Sequence, residues 1–370
     1  MEPVHEDGGR ALKETAPGAA QEGSPEDLPF VTVIVPVRNE EGYIGRCLQA
    51  LAAQDYPHDL FETIVLDGGS RDATESETRL TAEAAGLTVF YAPNPKHTAA
   101  TGFNLGLTLA HGDVIIKVDG HTRVAPDFIR ANVRVLQRSG ADAVGGPIET
   151  RGHGAAGRAI ALALSSRFGV GDTAFRDPDA GEQWTDSVPY GAYRRDMFQR
   201  LGGFAEDIDR GEDDEFNYRL RRSGGRILLS PSIRSTYYCR ASYEELARQY
   251  WDYGLAKAKV LQRHPGRLRW RHLVPSAFVA TVAGGALLGA VDRRCGGLAA
   301  LVGSAYALAS WWAASKATRD EPEQTARVAV AYACMHLPAG AGMLVGLARG
   351  LLNRAGAARN EKQSGYQDDG

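Results

Sequence analysis

The amino-acid sequence predicts an α/β fold with a mostly parallel, doubly wound sheet, followed by a membrane-associated helical region. Apolar runs typical of buried strands alternate with helical segments from residue 30 to about residue 150, which is the pattern of strand–helix–strand units. Clusters of polar residues follow the strands, where sheets of this type bind their ligands. Three uncharged stretches of near membrane-spanning length lie in the last hundred residues.

Four strands and three helices are predicted in the first part of the chain. The strands are apolar, mostly β-branched runs, and the helices have apolar residues three or four positions apart. In chain order these segments are strand 30–36, helix 41–54, strand 61–66, helix 72–85, strand 87–91, helix 98–110 and strand 114–118. The more mixed region that follows is predicted to contain strands 143–146 and 227–230 and helices 195–201, 212–223 and 243–263.

The charge of the chain is nearly balanced but unevenly distributed. The 370 residues have a formal net charge of −3. Residues 1–29 carry seven acidic and two basic residues, a charge of −5, which leaves +2 for the remainder. This segment is predicted to be a disordered tail, and it lacks the basic and apolar parts of a cleaved signal peptide. No basic face or DNA-binding motif is evident, so nucleic acid is not an expected partner.

The C-terminal region is predicted to associate with a membrane. Residues 273–291, 295–315 and 328–348 contain no charged side chain, and each stretch approaches the ~20 residues needed to cross a bilayer. We therefore expect two or three spans within 264–352, followed by a polar tail over 353–370. Because the stretches are rich in alanine and glycine, a soluble helical domain with a small-residue core is the alternative.

A run of basic residues precedes the first of these stretches. The segment between Tyr253 and Val291 has no acidic residue, and its basic residues before the apolar stretch are Lys257, Lys259, Arg263, Arg267, Arg269 and Arg271. Such a cluster beside a membrane span is typical of the cytoplasmic side. The preceding domain is therefore expected in the cytoplasm, and the protein in the cell membrane as a multi-pass chain.

Asp119 and His121 follow the predicted strand 114–118. Residues at i and i+2 of an extended chain point the same way, so the carboxylate and the imidazole are expected to face one spot. Such a pair suits a divalent metal ion that keeps open positions for phosphate oxygens. The alternative is a strand that ends in an ordinary polar turn.

Several ordered motifs together resemble the family 2 glycosyltransferases, inverting enzymes with the nucleotide-sugar-binding fold called GT-A. The segments that carry the resemblance are VTVIVPVRNEEGYI (31–44), IVLDGGSRDAT (64–74), the Asp119 and His121 pair, PYGAYRRDMFQRLGGF (189–204) and GEDDEFNYRL (211–220). Within the family the chain is similar to membrane-associated enzymes of bacterial exopolysaccharide assembly, of the succinoglycan type. The resemblance implies a catalytic domain over 30–263, with a nucleotide-sugar half (30–150) and an acceptor and base half (151–263) that ends in an amphipathic helix.

The resemblance also implies a nucleotide-sugar donor, expected to be UDP-linked, and a divalent cation. Asp119 is the expected metal carboxylate, and His121 stands in place of the second aspartate that the family usually has. Since imidazole is a softer ligand, Mn²⁺ is favoured over Mg²⁺ more than at a site with carboxylates alone. The residues expected to bind the donor are Pro36, Arg38, Glu40, Asp67, Gly68, Lys96 and Asp119. The alternatives are a helix N-terminal turn for Asp67 and surface positions for Arg38 and Lys96.

Asp213 is the expected general base, with Glu212 beside it and Asp214 as the fallback. Inversion by direct displacement needs a carboxylate that accepts the proton of the attacking hydroxyl. Crowded acidic residues can raise such a pKa towards the working pH. The alternative is an acidic first turn that the helix dipole stabilises.

These roles imply an inverting transfer to a hydroxyl of a lipid-linked saccharide or polysaccharide precursor at the cytoplasmic membrane face. The expected partners are the donor, this acceptor, the membrane and polysaccharide-assembly proteins. A processive polysaccharide synthase is one alternative, but the QxxRW motif of such enzymes is missing after Gln249. A non-catalytic, membrane-tethered protein that binds sugar nucleotides is the other.

Overall fold

The computed structural model describes residues 28–171, 173–177, 179–208, 210–264 and 270–364, with backbone alone for 270–272 and 353–364. Nearly all of the tail predicted over 1–29 lies outside the described residues. The eleven strands are β1 (Val31–Val37), β2 (Phe61–Asp67), β3 (Val89–Pro93), β4 (Val114–Lys117), β5 (Thr122–Val124), β6 (Ala143–Gly145), β7 (Ile148–Arg151), β8 (Gln183–Trp184), β9 (Ala192–Arg194), β10 (Ile227–Leu229) and β11 (Ser235–Tyr238).

Eight of these strands form one mixed sheet in the order β3-β2-β1-β4-β9-β6-β10-β8. The strands β1 to β4 are parallel, as predicted. In contrast, β9 lies antiparallel between β4 and β6, and β8 is an antiparallel edge strand. The expectation of a mostly parallel sheet therefore holds for the first half, and the complete sheet is mixed.

Twelve α-helices accompany the strands in the described part of the chain. They are α1 (Ile44–Ala52), α2 (Thr74–Ala85), α3 (Ala99–Leu109), α4 (Phe128–Ser139), α5 (Gly154–Leu164), α6 (Arg167–Val170), α7 (Arg195–Leu201), α8 (Glu212–Arg222), α9 (Tyr243–Arg263), α10 (Trp270–Leu288), α11 (Arg293–Ala317) and α12 (Thr325–Ser364). Side chains alternate across β1, so Val33 and Val35 join a core with α1 and α4, while Ile34 joins a second core with α3, α7 and α8. Helices thus cover both faces of the sheet.

A second, three-stranded sheet stands beside the end of β4. Its order is β5-β11-β7, with β11 antiparallel to β5 and parallel to β7. Because β5 begins directly after His121, this small sheet brings residues from the far end of the catalytic region next to the predicted metal pair.

The helices α9 and α12 lie side by side and run in the same direction. At one end the Tyr243 hydroxyl donates to the Arg327 carbonyl (3.2 Å), and at the other the Gln262 amide donates to the Gly346 carbonyl (3.1 Å). Between them the helices approach so closely that a Cβ on Gly254 would lie 2.3 Å from the Ala339 carbonyl oxygen. The packing therefore crosses the predicted boundary between residues 263 and 264.

Two segments of the described C-terminal region are long and apolar enough to cross a membrane. They are Arg293–Ala317 and Pro322–Leu352, and they qualify by length and composition alone. The stretch predicted over 273–291 gives only the shorter apolar helix Leu273–Leu288. Of the two or three expected spans, two candidates therefore remain, and a multi-pass arrangement is no more than a proposal.

Candidate active site

The predicted site residues converge at the carboxyl edge of the parallel strands. The register aligns Val37 with Asp67 on β1 and β2, and Ile34 with Lys117 on β1 and β4. Ligands of open α/β sheets bind outside this edge.

Asp67 is held inside its own loop. One carboxylate oxygen accepts hydrogen bonds from the Ser70 amide (2.9 Å) and hydroxyl (2.7 Å), and the other accepts from the Tyr91 hydroxyl. Burial and this bond to Asp67 raise the pKa of Tyr91. The backbone of the next residue, Gly68, packs so tightly on His97 that a Cβ there would lie 3.0 Å from the His97 carbonyl oxygen. Both predicted donor residues thus shape the loop.

Arg38 and Lys96 lie on the rim. Arg38 is exposed in the loop after β1. Lys96 is mostly exposed and forms an ion pair of 2.6 Å with Glu206, which precedes α8. Both positions agree with the surface alternative. Pro36 is half-buried within β1.

His121 is oriented by Glu40. The imidazole Nδ1 and a Glu40 carboxylate oxygen are 2.9 Å apart. Burial disfavours the imidazolium, but the hydrogen bond and charge of Glu40, with the charge of Asp119, raise the pKa of His121. A Cβ on Gly120 would lie 2.9 Å from Val37 and 3.0 Å from Glu40. Glycine at position 120 therefore leaves room for Glu40 to contact His121. In this structure Glu40 is the partner of His121.

Lys117, which sequence reasoning missed, lies at the centre of the site. Its buried ammonium donates to Asp119 (2.9 Å) and pairs with Glu212 (3.3 Å). Burial disfavours the charge, but the charges of Asp119, Glu212 and Asp213 raise the pKa of Lys117 well above its usual value. The signal was available, since Lys117 is the only charge in an apolar strand and precedes Asp119 by two positions, on the same face.

The carboxylate of Asp119 is ionised in this environment. Burial alone would raise its pKa, but Lys117, His121 and Arg210 together lower it. An ionised carboxylate beside an oriented imidazole agrees with the predicted metal pair.

The first turn of α8 brings the predicted base to the same lysine. Burial and the charge of Glu212 raise the pKa of Asp213 to about 7, although Lys117 opposes this shift. Asp214 donates its amide to Asp213 (2.8 Å), while its own carboxylate pairs with Lys257 of α9 at 3.8 Å. Asp213 therefore has the pKa of a base, and Asp214 is engaged elsewhere.

The donor set suits a cation that arrives with phosphate. No cluster of three His, Cys, Asp or Glu side chains within the described ranges is arranged to hold a metal ion. Asp119 uses one oxygen for Lys117, and His121 uses Nδ1 for Glu40. One carboxylate oxygen and the imidazole Nε2 remain, so two protein ligands fit a divalent cation whose other positions are taken by phosphate oxygens.

Comparison with known proteins identifies the family of the chain. The model of the family "Glycosyl transferase family 2" matches residues 32–202. The succinoglycan biosynthesis protein ExoA of Rhizobium meliloti is 30% identical over 263 residues, which cover 70% of this chain and 78% of that protein. The chain belongs to glycosyltransferase family 2. The predicted family and enzyme class are therefore confirmed.

Two further relatives bear on this glycosyltransferase. A dolichyl N-acetyl-alpha-D-glucosaminyl phosphate 3-beta-D-2,3-diacetamido-2,3-dideoxy-beta-D-glucuronosyltransferase of Methanococcus voltae is 29% identical over 261 residues, covering 68% of this chain and 79% of that protein. The structure of mannosyltransferase PcManGT from Pyrobaculum calidifontis, in complex with GDP-Man and Mn²⁺, has a TM-score of 0.56 and 24% identity, covering 84% and 88% of the two chains. This likeness shows the GT-A fold, for which metal dependence is typical.

A wall of aromatic residues completes the site of this glycosyltransferase. The Tyr237 ring of β11 lies 5.8 Å from the His121 ring, edge to face. Gln249 of α9 donates to the hydroxyls of Tyr237 (3.3 Å) and Tyr253 (3.1 Å). Tyr190 adjoins Asp119 and has a positive φ of 48°, which is uncommon for a residue other than glycine. The wall lies on the side of His121 occupied by the small sheet and α9.

Proposed function

We propose that this glycosyltransferase moves one sugar from a UDP-linked donor, with inversion, to a hydroxyl of a lipid-linked saccharide at the cytoplasmic membrane face. The observation that carries the proposal is the placement of Asp119 and the Glu212–Asp213 pair around Lys117. In this proposal Asp119 serves the phosphate side of the reaction and Asp213 is the base, and the two lie on either side of Lys117. The two relatives, a succinoglycan biosynthesis protein and a transferase named for a dolichyl-linked sugar phosphate, support an acceptor of this class.

The residues of the site divide the reaction between them. Asp213 accepts the proton of the acceptor hydroxyl while the hydroxyl oxygen attacks the anomeric carbon. The bond from that carbon to the donor diphosphate breaks on the opposite face, so the configuration inverts. Asp119 and His121 are the residues that would hold Mn²⁺ or Mg²⁺, which when bound offsets negative charge on the departing diphosphate. Lys117 keeps the carboxylate groups of Asp119 and Glu212 in place.

The donor side of the site has a sheet edge and a charged rim. We assign the nucleoside to the carboxyl ends of β1 and β2, beside Pro36, Asp67 and Gly68, because sheets of this type bind their ligands at that edge. Arg38 and Lys96 are the cations on the rim that reach the diphosphate.

Membrane association is assigned to the C-terminal helices. Of the eighteen exposed large hydrophobic residues in the described chain, fourteen lie from Leu273 onwards. Near the end of α11, Trp311 and Trp312 are exposed, and the Lys316 ammonium lies 3.7 Å from the Trp312 ring centre. Tryptophan and lysine at a helix end are typical of a membrane–water interface. An apolar surface of this extent suits a lipid partner.

The test uses the full-length protein purified in detergent. Nucleotide release is measured with UDP-glucose, UDP-galactose, UDP-N-acetylglucosamine and GDP-mannose, each with Mn²⁺, Mg²⁺ or EDTA. We expect metal-dependent release from one UDP-sugar, lost in Asp119→Ala and Asp213→Asn. Asp196→Asn is the matched control, because Asp196 is an exposed acid in the first turn of α7. Turnover that survives in Asp213→Asn contradicts the assigned base.

A further inference from the structure

Arg176 lies against the aromatic wall beside His121. Its guanidinium carbon is 5.0 Å from the Tyr237 ring centre and 5.7 Å from that of Phe175. One guanidinium nitrogen donates to the Thr150 hydroxyl at 3.1 Å. A single aromatic ring therefore separates this cation from the predicted metal pair.

Within the described residues, Arg176 forms no ion pair with a carboxylate. Among the residues that the structure describes, no acidic side chain lies within the 4.0 Å ion-pair distance of its guanidinium. By contrast, Arg210, whose charge acts on Asp119, pairs with Asp252 at 3.6 Å. A guanidinium has five N–H donors, and only one of those of Arg176 is used by Thr150. The remaining fork is suited to an anion bound by two parallel hydrogen bonds.

The position of Arg176 is away from the donor edge. The donor residues stand at the ends of β1 and β2, whereas Arg176 interacts electrostatically with Tyr250 and Tyr253 of α9. The same helix packs through Gly254 against α12. The wall that holds Arg176 is thus continuous with the helices that carry the exposed apolar surface, which is the side from which a lipid-borne acceptor would approach.

We propose that Arg176 binds the phosphoryl group that joins the acceptor saccharide to its lipid. This assignment rests on the proposed function and specifies its acceptor. The fork of Arg176 takes the phosphate oxygens, Tyr237 supports the guanidinium face, and the saccharide extends past His121 towards Asp213. Arg176 is a binding residue for the acceptor, and it takes no part in holding the donor.

The test compares two acceptors that differ in the phosphoryl group. Full-length protein in detergent is given the donor identified above with either a farnesyl-diphosphate-linked monosaccharide or the octyl glycoside of the same sugar. In Arg176→Gln, KM for the diphosphate acceptor should rise about tenfold to a hundredfold. KM for the donor, donor hydrolysis without acceptor, and KM for the octyl glycoside should stay within about twofold. Arg176→Lys, which keeps the charge and loses the fork, should fall between Arg176→Gln and the wild type.

Two controls separate this role from others. Arg158→Gln removes an exposed arginine of α5 and should behave as the wild type. With the donor and free Mn²⁺ held at saturation, sodium pyrophosphate should compete with the diphosphate acceptor in the wild type and lose that competition in Arg176→Gln, which distinguishes a phosphoryl site from a general lipid contact.

Three outcomes would overturn the assignment. If donor hydrolysis and donor KM change together with transfer, Arg176 serves the donor diphosphate. If transfer to both acceptors falls equally, its role is structural. If the wild type uses the diphosphate acceptor and Arg176→Gln leaves that KM unchanged, the anion lies elsewhere while the proposed function stands. A wild type that uses only the octyl glycoside contradicts the lipid-linked acceptor itself, and with it this role.

Discussion

Lys117 donates a hydrogen bond of 2.9 Å to Asp119 from an almost completely buried side chain. The same ammonium pairs with Glu212 and acts on Asp213, so one positive charge stabilises acidic groups from two distant parts of the chain. It joins the end of β4 to the first turn of α8. The predicted metal carboxylate and the neighbour of the predicted base are therefore held together by one ammonium group.

Replacement of this lysine should damage both stability and activity. In Lys117→Met the half-buried carboxylate of Asp119 and the buried carboxylate of Glu212 lose their counter-charge. Removing one partner of a buried ion pair costs about 3–5 kcal/mol. We expect the free energy of unfolding to fall by about this amount in denaturant titrations, and transfer to be abolished.

The double variant Lys117→Met with Glu212→Gln provides the control. It neutralises Glu212, which Lys117→Met alone would leave charged without its lysine partner. The double variant should therefore regain part of the lost stability without regaining activity. Equal denaturation midpoints for Lys117→Met and the wild type would show that the ammonium does not stabilise the site.

Asp213 should make the folded protein less stable as the pH rises. Its pKa is about 7 in the folded state, above the ~3.9 of an unfolded aspartate. Between these values the folded state binds one proton more than the unfolded state, so stability from this group falls as pH increases and is fully lost above about pH 7. Asp213→Asn removes this loss. In EDTA, its melting temperature should match the wild type near pH 4 and exceed it at pH 8, whereas Asp196→Asn should show no such divergence.

The hydrogen bond from Glu40 should set the metal affinity of His121. A carboxylate on Nδ1 fixes the imidazole orientation and increases its basicity, and loss of such a partner costs about tenfold to a hundredfold in metal affinity. In Glu40→Gln the Mn²⁺ concentration for half-maximal activity should rise by that factor. Manganese titration followed by electron paramagnetic resonance, without donor, measures the same change directly. An unchanged titration in both assays would remove His121 from the metal site.

The sequence was informative where its signals are local. Long apolar runs identified β1 to β4. The i, i+2 argument for Asp119 and His121 assumed an extended chain, whereas β4 ends at Lys117 and a turn follows, in which the Thr122 amide donates to the Asp119 carbonyl (3.0 Å). The short strands β8 and β9 have two and three residues, too few to show a period, and their pairing comes from distant neighbours. The helix α4 was not predicted, although its buried residues, among them Phe128, Ile129 and Val133, recur at helical spacing.

Side-chain partners were less predictable than positions. The contact of Lys117 with Asp119 spans two positions and could be read from the sequence, but the bond between Glu40 and His121 depends on a contact across 81 positions of the chain. The packing of α9 on α12 links residues 84 positions apart. Neither a helical period nor a charge pattern shows which distant residues will pair. For α9 and α12 in particular, many helix surfaces have glycine and alanine at the same spacing.

Close packing of α9 on α12 should be essential for an active site. In Gly254→Ala the new methyl group would lie 2.3 Å from the Ala339 carbonyl oxygen and 2.8 Å from the Met343 amide nitrogen, so the helices must separate. Overpacking of this kind costs about 1–3 kcal/mol. Since α9 carries Gln249 and Lys257, which contact Tyr237 and Asp214, separation should also lower the rate of transfer.

Gly303→Ala is the matched control for this substitution. Gly303 lies within α11, where a methyl group would meet no atom within 4 Å. The same change there should stabilise the helix by about 0.5–1 kcal/mol, because alanine loses less backbone entropy than glycine. Melting temperatures should therefore move in opposite directions, down for Gly254→Ala and up for Gly303→Ala, and only the former should lose activity. If both variants become more stable, α9 and α12 are not in close contact, and the catalytic region is independent of the C-terminal helices.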